Sequence, residues 1–253
     1  MLIGRREFVM TGLSLAIGPR QATAVASTGR GPNVKAIAFD AFVIFDPRSL
    51  ASLCDALFPG KGNDLISLWR MRQFEYTWLR TISNRYTDFL HVTDDALNFA
   101  VRSLKLELTA EKRQVLLNAH SELKPWPDVI PALEKLRDAG LGLGFLSNFT
   151  PGMLNGCIKS SGLERLFNPV LSTDLARTYK PDARAYQLAV DTLNLPIGEI
   201  AFAAFAGWDA AGAKSFGYPT FWVNRLGLPT EQLDSLPDGT GHDLAELLAF
   251  IGV

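Results

Sequence analysis

From Val34 onward the chain alternates short apolar runs with longer amphipathic ones. Val34-Lys35-Ala36-Ile37-Ala38-Phe39 is apolar and stops at Asp40, which predicts a buried strand with a carboxylate at its C-terminal end. The next eighty residues read as helices. Leu50 to Phe58 is apolar at helical spacing and halts at Pro59-Gly60. Asp64 to Arg85 carries Leu65, Leu68, Trp69, Phe74, Trp78, Leu79 and Ile82 on one broad face. Thr93 ahead of Asp94-Asp95-Ala96 predicts a third helix with Thr93 as its N-cap, and Thr109-Ala110-Glu111 predicts the start of a fourth. The rhythm then changes. Helices are expected over 127–139, 151–161, 182–193, 208–216 and 243–251. Short strands are expected over 143–146, 169–171, 200–203 and 220–223.

Strands alternating with helices predict an α/β fold: a doubly wound parallel sheet with right-handed crossovers, whose ligand lies at the carboxyl ends of the strands. The helical block falls just after the first strand. We therefore expect a core of residues 27–45 and 126–253 and an inserted all-helical cap over 46–125 that folds across the crevice. The Pro- and Gly-containing stretch from about 227 to 241 reads as an exposed loop.

Composition narrows the picture. The 253 residues are 47% hydrophobic, with 25 basic and 26 acidic side chains, so neither disorder nor a general nucleic-acid binder is expected. No apolar run reaches the roughly 18–20 residues of a membrane span. With only Cys54 and Cys157, a disulfide framework or a cysteine zinc cluster is excluded, and both are expected as buried free thiols. The N-terminus has the order of an export signal: Arg5-Arg6, an apolar stretch from Phe8 to about Ile17, then small residues ending Ala24-Val25-Ala26. The paired arginines point to the twin-arginine route and hence to a periplasmic protein, or a cytoplasmic one if the segment is merely a ragged terminus. Removal of residues 1–26 leaves 22 basic against 25 acidic side chains.

Ionisable and polar residues collect at the expected strand ends: Asp40, Ser147-Asn148 and Asp209, with Lys180 just before a core helix. An acid, a hydroxyl, an ammonium and a second acid at one edge supply a nucleophile, an anion binder and a charge pair. The three histidines, His91, His120 and His242, lie near no serine or cysteine motif and read as surface residues. The chain has no GxSxG elbow, HExxH zinc motif or phosphate-binding glycine loop.

Ala38-Phe39-Asp40-Ala41-Phe42, Leu146-Ser147-Asn148, Tyr179-Lys180-Pro181-Asp182 and Gly207-Trp208-Asp209 resemble the four motifs of the haloacid dehalogenase superfamily. The lid narrows the resemblance. Leu68 to Arg80, Asn84 to Phe89 and Trp208 to Gly217 are similar to the L-2-haloacid dehalogenase (type II) subfamily, over nearly all of residues 34–250. The resemblance implies a cofactor-free hydrolase that converts short-chain (S)-2-haloacids and water to (R)-2-hydroxyacids, and a homodimer. It implies that Asp40 attacks C2 and forms an ester, and that Arg70 holds the halide or the carboxylate. It implies further that Ser147, Lys180 and the amides after Asp40 bind the carboxylate, that Lys180 and Asp209 pair, and that Asn148 belongs to the catalytic set. Ala41, Phe42, Met71, Phe74, Phe89, Tyr186 and Trp208 would wall the substrate.

Phe42 separates two reaction classes. Phosphatases of the superfamily need an acid two residues after the nucleophile, to protonate the leaving oxygen and bind near a metal. Phe42 does neither, whereas a halide leaves without a proton. No metal is therefore expected. A phosphatase is the less favoured enzyme reading, and a non-catalytic binder of small carboxylates is the remaining one. Two departures from the subfamily stand out. The usual Asp-x-Tyr-Gly-Thr-Leu is here Asp40-Ala41-Phe42-Val43-Ile44-Phe45, one residue shorter and without the Gly and Thr. The usual Ser-Ser-Asn before Trp-Asp is here Ala204-Phe205-Ala206. The turn after Asp40 must therefore take another path, and two groups that would position water are missing.

Overall fold

The computed structural model describes residues 33–253; the export segment expected at 1–26 lies outside them. The apolar run before Asp40 forms β1 (Ala36–Phe39), with all four residues buried. Asp40 then caps a single helical turn, α1 (Ala41–Ile44), by accepting the Phe42 amide at 3.0 Å. Four helices follow: α2 (Arg48–Leu57), α3 (Gly62–Ile82), α4 (Phe89–Ser103) and α5 (Ala110–Asn118). The rest of the chain alternates: α6 (Val129–Asp138), β2 (Gly142–Ser147), α7 (Pro151–Ser160), β3 (Val170–Ser172), α8 (Ala183–Leu193), β4 (Ile200–Ala204), α9 (Gly207–Phe216), β5 (Thr220–Val223), β6 (Gly239–Gly241) and α10 (Leu244–Ile251).

The six strands form one parallel sheet in the order β3-β2-β1-β4-β5-β6. The direction of winding reverses at β1, so the central crevice opens beside the residue that follows it, Asp40. Strands buried on both faces must be apolar throughout, which is why β1, β4 and β5 read as continuous runs rather than alternations.

Three expectations need correction. The third cap helix begins at Phe89 with Asp88 as N-cap, accepting the His91 amide at 2.8 Å. Thr93 lies inside that helix, and its hydroxyl donates back to the Phe89 carbonyl at 2.6 Å. Phe89 and Val92 are buried, so their burial carries the helix back past the Thr-Asp-Asp signal. The stretch 227–241 is mostly exposed but ends in β6, an edge strand paired with β5. His120 is buried, not on the surface. Its Nδ1 contacts the Leu116 carbonyl at 3.2 Å, and burial pushes its pKa down to about 4, which leaves it neutral at ordinary pH. Cys54 and Cys157 are buried free thiols as expected.

α3 and α4 pack through Trp69, whose indole donates to the Thr93 carbonyl at 2.8 Å, and Gln73, whose amide donates to the Thr93 hydroxyl at 2.7 Å. Two tyrosines tie this helical block to the sheet. The Tyr179 hydroxyl donates to the Thr87 carbonyl at 2.5 Å, and the Tyr86 hydroxyl meets the Asp174 carboxylate.

A second device holds the turn after Asp40. The Trp126 indole donates to the Phe42 carbonyl at 3.0 Å, and the Trp126 amide donates to the Ile44 carbonyl at 3.0 Å. Arg225 donates to the Val43 carbonyl at 2.9 and 3.2 Å and to Asp128 at 2.9 and 3.2 Å. The indole lies between two guanidinium groups, Arg225 at 4.7 Å and Arg48 at 4.6 Å from its centroid. These contacts do without the missing Gly and Thr: the carbonyls of the short turn are bound from outside it. Trp126→Phe keeps an aromatic ring in the stack but leaves the buried Phe42 carbonyl short of a donor. Denaturant unfolding of that variant is expected to show a loss of about 1–3 kcal/mol.

Candidate active site

The parallel sheet delivers its polar residues to one edge because β1, β2 and β4 end within two residues of one another: Phe39, the last residue of β1, pairs with Phe145 on one side and with Ala203 on the other. Asp40 follows β1, Ser147-Asn148 close β2, and Asp209 lies in the first turn of α9, which follows β4. Lys180 reaches the same point from the loop before α8. Its ammonium bridges the two acids, 2.8 Å from Asp40 Oδ1 and 2.7 Å from Asp209 Oδ2. Lys180 and Asp209 are each 1% exposed, so both charges depend on one another rather than on water.

Each group beyond that pair has a defined task. Asp40 accepts the Phe42 amide on Oδ2 and the Lys180 ammonium on Oδ1, leaving lone pairs on both oxygens. Asp209 Oδ1 accepts the Tyr186 hydroxyl at 2.7 Å. That contact needs Gly212, where a Cβ would lie 2.6 Å from the same hydroxyl oxygen. Asn148 is held one way round. Its Oδ1 accepts the Lys180 backbone amide at 3.0 Å and the Thr173 hydroxyl at 3.3 Å. An amide N–H can only donate, so the atom it meets is the oxygen. Asn148 Nδ2 is buried without a partner, and the residue lines the pocket. The Ser147 hydroxyl accepts the Phe149 amide at 3.1 Å, so its own hydrogen is free to be offered to a ligand.

Above the carboxylates lies a small, mostly apolar pocket. Its polar wall is Asp40, Arg70, Ser147, Asn148 and Asp209, and its apolar wall is Phe42, Phe74, Phe89, Phe149, Phe205, Ala206 and Trp208. Arg70 descends from α3, its guanidinium carbon 5.5 Å from the centre of the Phe42 ring. Burial pulls the Arg70 pKa down while the charge of Asp40 pushes it back up. A much wider groove on the outer face of α3 and α4, lined by Tyr76, Arg80, Asp95, Phe99 and Arg102, shares no residue with this pocket.

Of the residues expected from the sequence, the structure brings Asp40, Phe42, Arg70, Phe74, Phe89, Ser147, Asn148, Trp208 and Asp209 to the pocket. Four stand elsewhere. Met71 is 51% exposed: successive residues of a helix are about 100° apart, so when Arg70 and Phe74 face the pocket Met71 turns to solvent. Tyr186 is fully buried behind Asp209, where it holds the acid and does not touch the pocket. Lys180 lies beneath the two carboxylates rather than on the wall, so its partners are Asp40 and Asp209 and not a bound carboxylate. Ala41 contributes backbone to the turn and is absent from the wall. Phe149 and Phe205 join the wall without a motif of their own to mark them. Their position, each one residue past a strand-end site, was the available signal.

The family model for haloacid dehalogenase-like hydrolases matches residues 32–217. This chain belongs to that family. It is 42% identical over 206 residues to an (S)-2-haloacid dehalogenase of Pseudomonas sp. (strain YL), a match covering 81% of this chain and 89% of the relative. A solved L-2-haloacid dehalogenase superposes with a TM-score of 0.86 at 42% identity, covering 87% of this chain and all of the other. The L-2-haloacid dehalogenase of Xanthobacter autotrophicus, solved with chloropropionic acid covalently bound, superposes with a TM-score of 0.81 at 31% identity over 87% of this chain and 98% of that one. Within this family fold, the cation between the two acids is the chain's own ammonium.

Asp209 sets a pH limit. Burial, with the charge of Asp40 adding to it, raises its pKa to about 6 against the opposing pull of Lys180. Above that pH it is ionised and shares the ammonium. Below it, Asp209 is neutral and Lys180 is drawn wholly to Asp40, which blunts the nucleophile. Catalytic rate is therefore expected to fall as pH drops through about 6. A pH–rate profile flat between 5 and 7.5 would contradict this account.

Proposed function

We propose that this protein hydrolyses the carbon–halogen bond of short-chain (S)-2-haloacids through an ester on Asp40. The observation that carries the reading is the position of Asp40: bridged by Lys180 and on the wall of a mostly apolar pocket that Arg70 also lines. In the first step an Asp40 oxygen attacks C2 of the acid. The carbon–halogen electron pair leaves with the halide, and C2 is inverted. In the second step water attacks the carbonyl carbon of the Asp40 ester. The bond between that carbon and the ester oxygen, which Asp40 supplied in the first step, breaks. One proton of the water goes to that oxygen and the other to solvent, releasing the (R)-2-hydroxyacid and restoring the carboxylate with the oxygen of the water.

The wall assigns the supporting roles. Asn148 Nδ2 and the Ser147 hydroxyl offer hydrogen bonds to the substrate carboxylate or halogen. The Arg70 guanidinium meets the negative charge that accumulates on the halide. The ring wall limits the water around Asp40, which keeps the carboxylate poorly solvated and reactive. Lys180 pairs with it at 2.8 Å. The helices of residues 46–125 act as the lid, since they supply Arg70, Phe74 and Phe89. Beyond the site, the resemblance supports a homodimer. The Arg5-Arg6 segment supports export to the periplasm with cleavage after Ala26.

Halide release from chloroacetate and (S)-2-chloropropionate, with no metal added, is the direct assay. Asp40→Asn is expected to abolish it, and full activity in that variant would end the nucleophile assignment. Because Ala204 and Ala206 cannot hold a water, the ester is expected to accumulate. Mass spectrometry of the Asp40 peptide during turnover should then find it modified, whereas unmodified peptide alone would mean that hydrolysis is fast. N-terminal sequencing of protein from the periplasmic fraction is expected to begin at Ser27; intact protein confined to the cytoplasm would overturn the export reading.

A further inference from the structure

We propose that Phe205 sets the size limit of the pocket and restricts its best substrates to two-carbon haloacetates. The proposal rests on the dehalogenase reading above and concerns which acids the same site accepts. The enclosed space beside Asp40 is about 30 Å³, room for two or so waters. Rings fill what remains. The Phe205 ring packs 5.7 Å from that of Phe42, which meets Phe149 edge-on at 5.2 Å, and Phe149 stacks on Phe89 at 5.6 Å. Phe89 and Phe149 are each 1% exposed, so the far end of this chain of rings has nowhere to retreat.

Phe205 is the near end. It follows the last residue of β4 and lies between Ala204 and Ala206, neither of which carries a side chain large enough to occupy the same space. Its backbone is fixed by the Trp222 indole, which donates to the Phe205 carbonyl at 3.0 Å. The ring itself is 7% exposed and lines the pocket. Compared with the Ser-Ser-Asn of the subfamily, this segment therefore lacks all three polar side chains and carries a bulky ring at the middle position. With the Asn148 and Ser147 donors at one end of the acid and Arg70 at the other, a haloacid would be pinned at both ends. Any substituent on C2 then has to enter the ring wall. A haloacetate carries only hydrogen there, whereas each further carbon must push a ring aside. A misfit of one methyl group in a packed pocket is worth about 10- to 200-fold in specificity.

The test is kcat/KM for halide release from chloroacetate, (S)-2-chloropropionate and (S)-2-chlorobutyrate, using the full chain and its Phe205→Ala and Phe205→Leu variants. For the wild type, kcat/KM is expected to fall about tenfold or more with each added carbon. Phe205→Ala should compress the chloroacetate-to-chlorobutyrate ratio by about tenfold or more, and Phe205→Leu should fall between. The ratio, not the absolute rate, is the readout. Phe205→Leu keeps most of the apolar contact and serves alone if the alanine variant does not fold. Equal ratios in wild type and Phe205→Leu, or a wild type that prefers the longer acids, would overturn the role of Phe205 while leaving the dehalogenase reading intact. Absence of halide from all three acids with the wild type would overturn both.

Discussion

One buried ammonium holds the active site together. Two carboxylates on adjacent strand ends of a parallel sheet, both out of bulk water, cannot comfortably ionise beside one another. Lys180, 2.8 Å from one and 2.7 Å from the other, removes that conflict. Arg70 brings the local charge back to zero: two acids, one ammonium and one guanidinium. His120, neutral through burial, adds nothing to the balance. The reaction proposed for the site conserves this count. As Asp40 becomes a neutral ester, a halide ion appears near Arg70, so one negative charge moves from the Lys180 end of the pocket to the Arg70 end. No proton has to travel with it, which is why Phe42 suffices where a phosphatase would need an acid.

The sheet and its strand-end residues were legible in the sequence because burial on both faces demands unbroken apolar runs, and each run stops where the chain turns polar. Asp40, Ser147, Asn148 and Asp209 could be placed at one edge from that rule alone. Features set by contacts between segments were not legible. The start of α4 looked like Thr93 because Thr-Asp-Asp is a strong capping pattern, yet the burial of Phe89 and Val92 against the rest of the protein outweighs it. Met71 and Arg70 differ by one step of rotation around a helix, and the sequence does not say which step faces the pocket. β6 is Gly-Thr-Gly, with no apolar signature; it exists because β5 offers it an edge. Trp126 and Arg225 act on backbone carbonyls of a turn some 80 to 180 positions away, and no local pattern encodes that.

The clamp also explains how the short turn after Asp40 survives. A glycine lets a chain adopt a backbone conformation by removing steric cost. Here the same end, an amide aimed at Asp40 Oδ2, is reached by a single buried turn of helix whose carbonyls are bound by Trp126 and Arg225. Local permissiveness has been exchanged for long-range hydrogen bonds, which ties the nucleophile's geometry to the packing of α6 and of the segment after β5.

The two halves of the proposed reaction make opposite demands on the pocket. Displacement at carbon gains from dryness, since a desolvated carboxylate is the stronger nucleophile. Ester hydrolysis needs one water inside, held and oriented. The ring wall from Phe42 to Phe205 serves the first step well. For the second, Ala204 and Ala206 offer no donor or acceptor on the β4 side, so the groups left to hold a water are Asp209, Asn148 and Ser147. Asp209 is the anionic acceptor among them: once Asp40 is esterified and uncharged, Lys180 is left with Asp209 as its one charged partner. On the proposed reaction Asp209 would then anchor the water of the second step, and the ammonium serves both steps by keeping its place between the two acids.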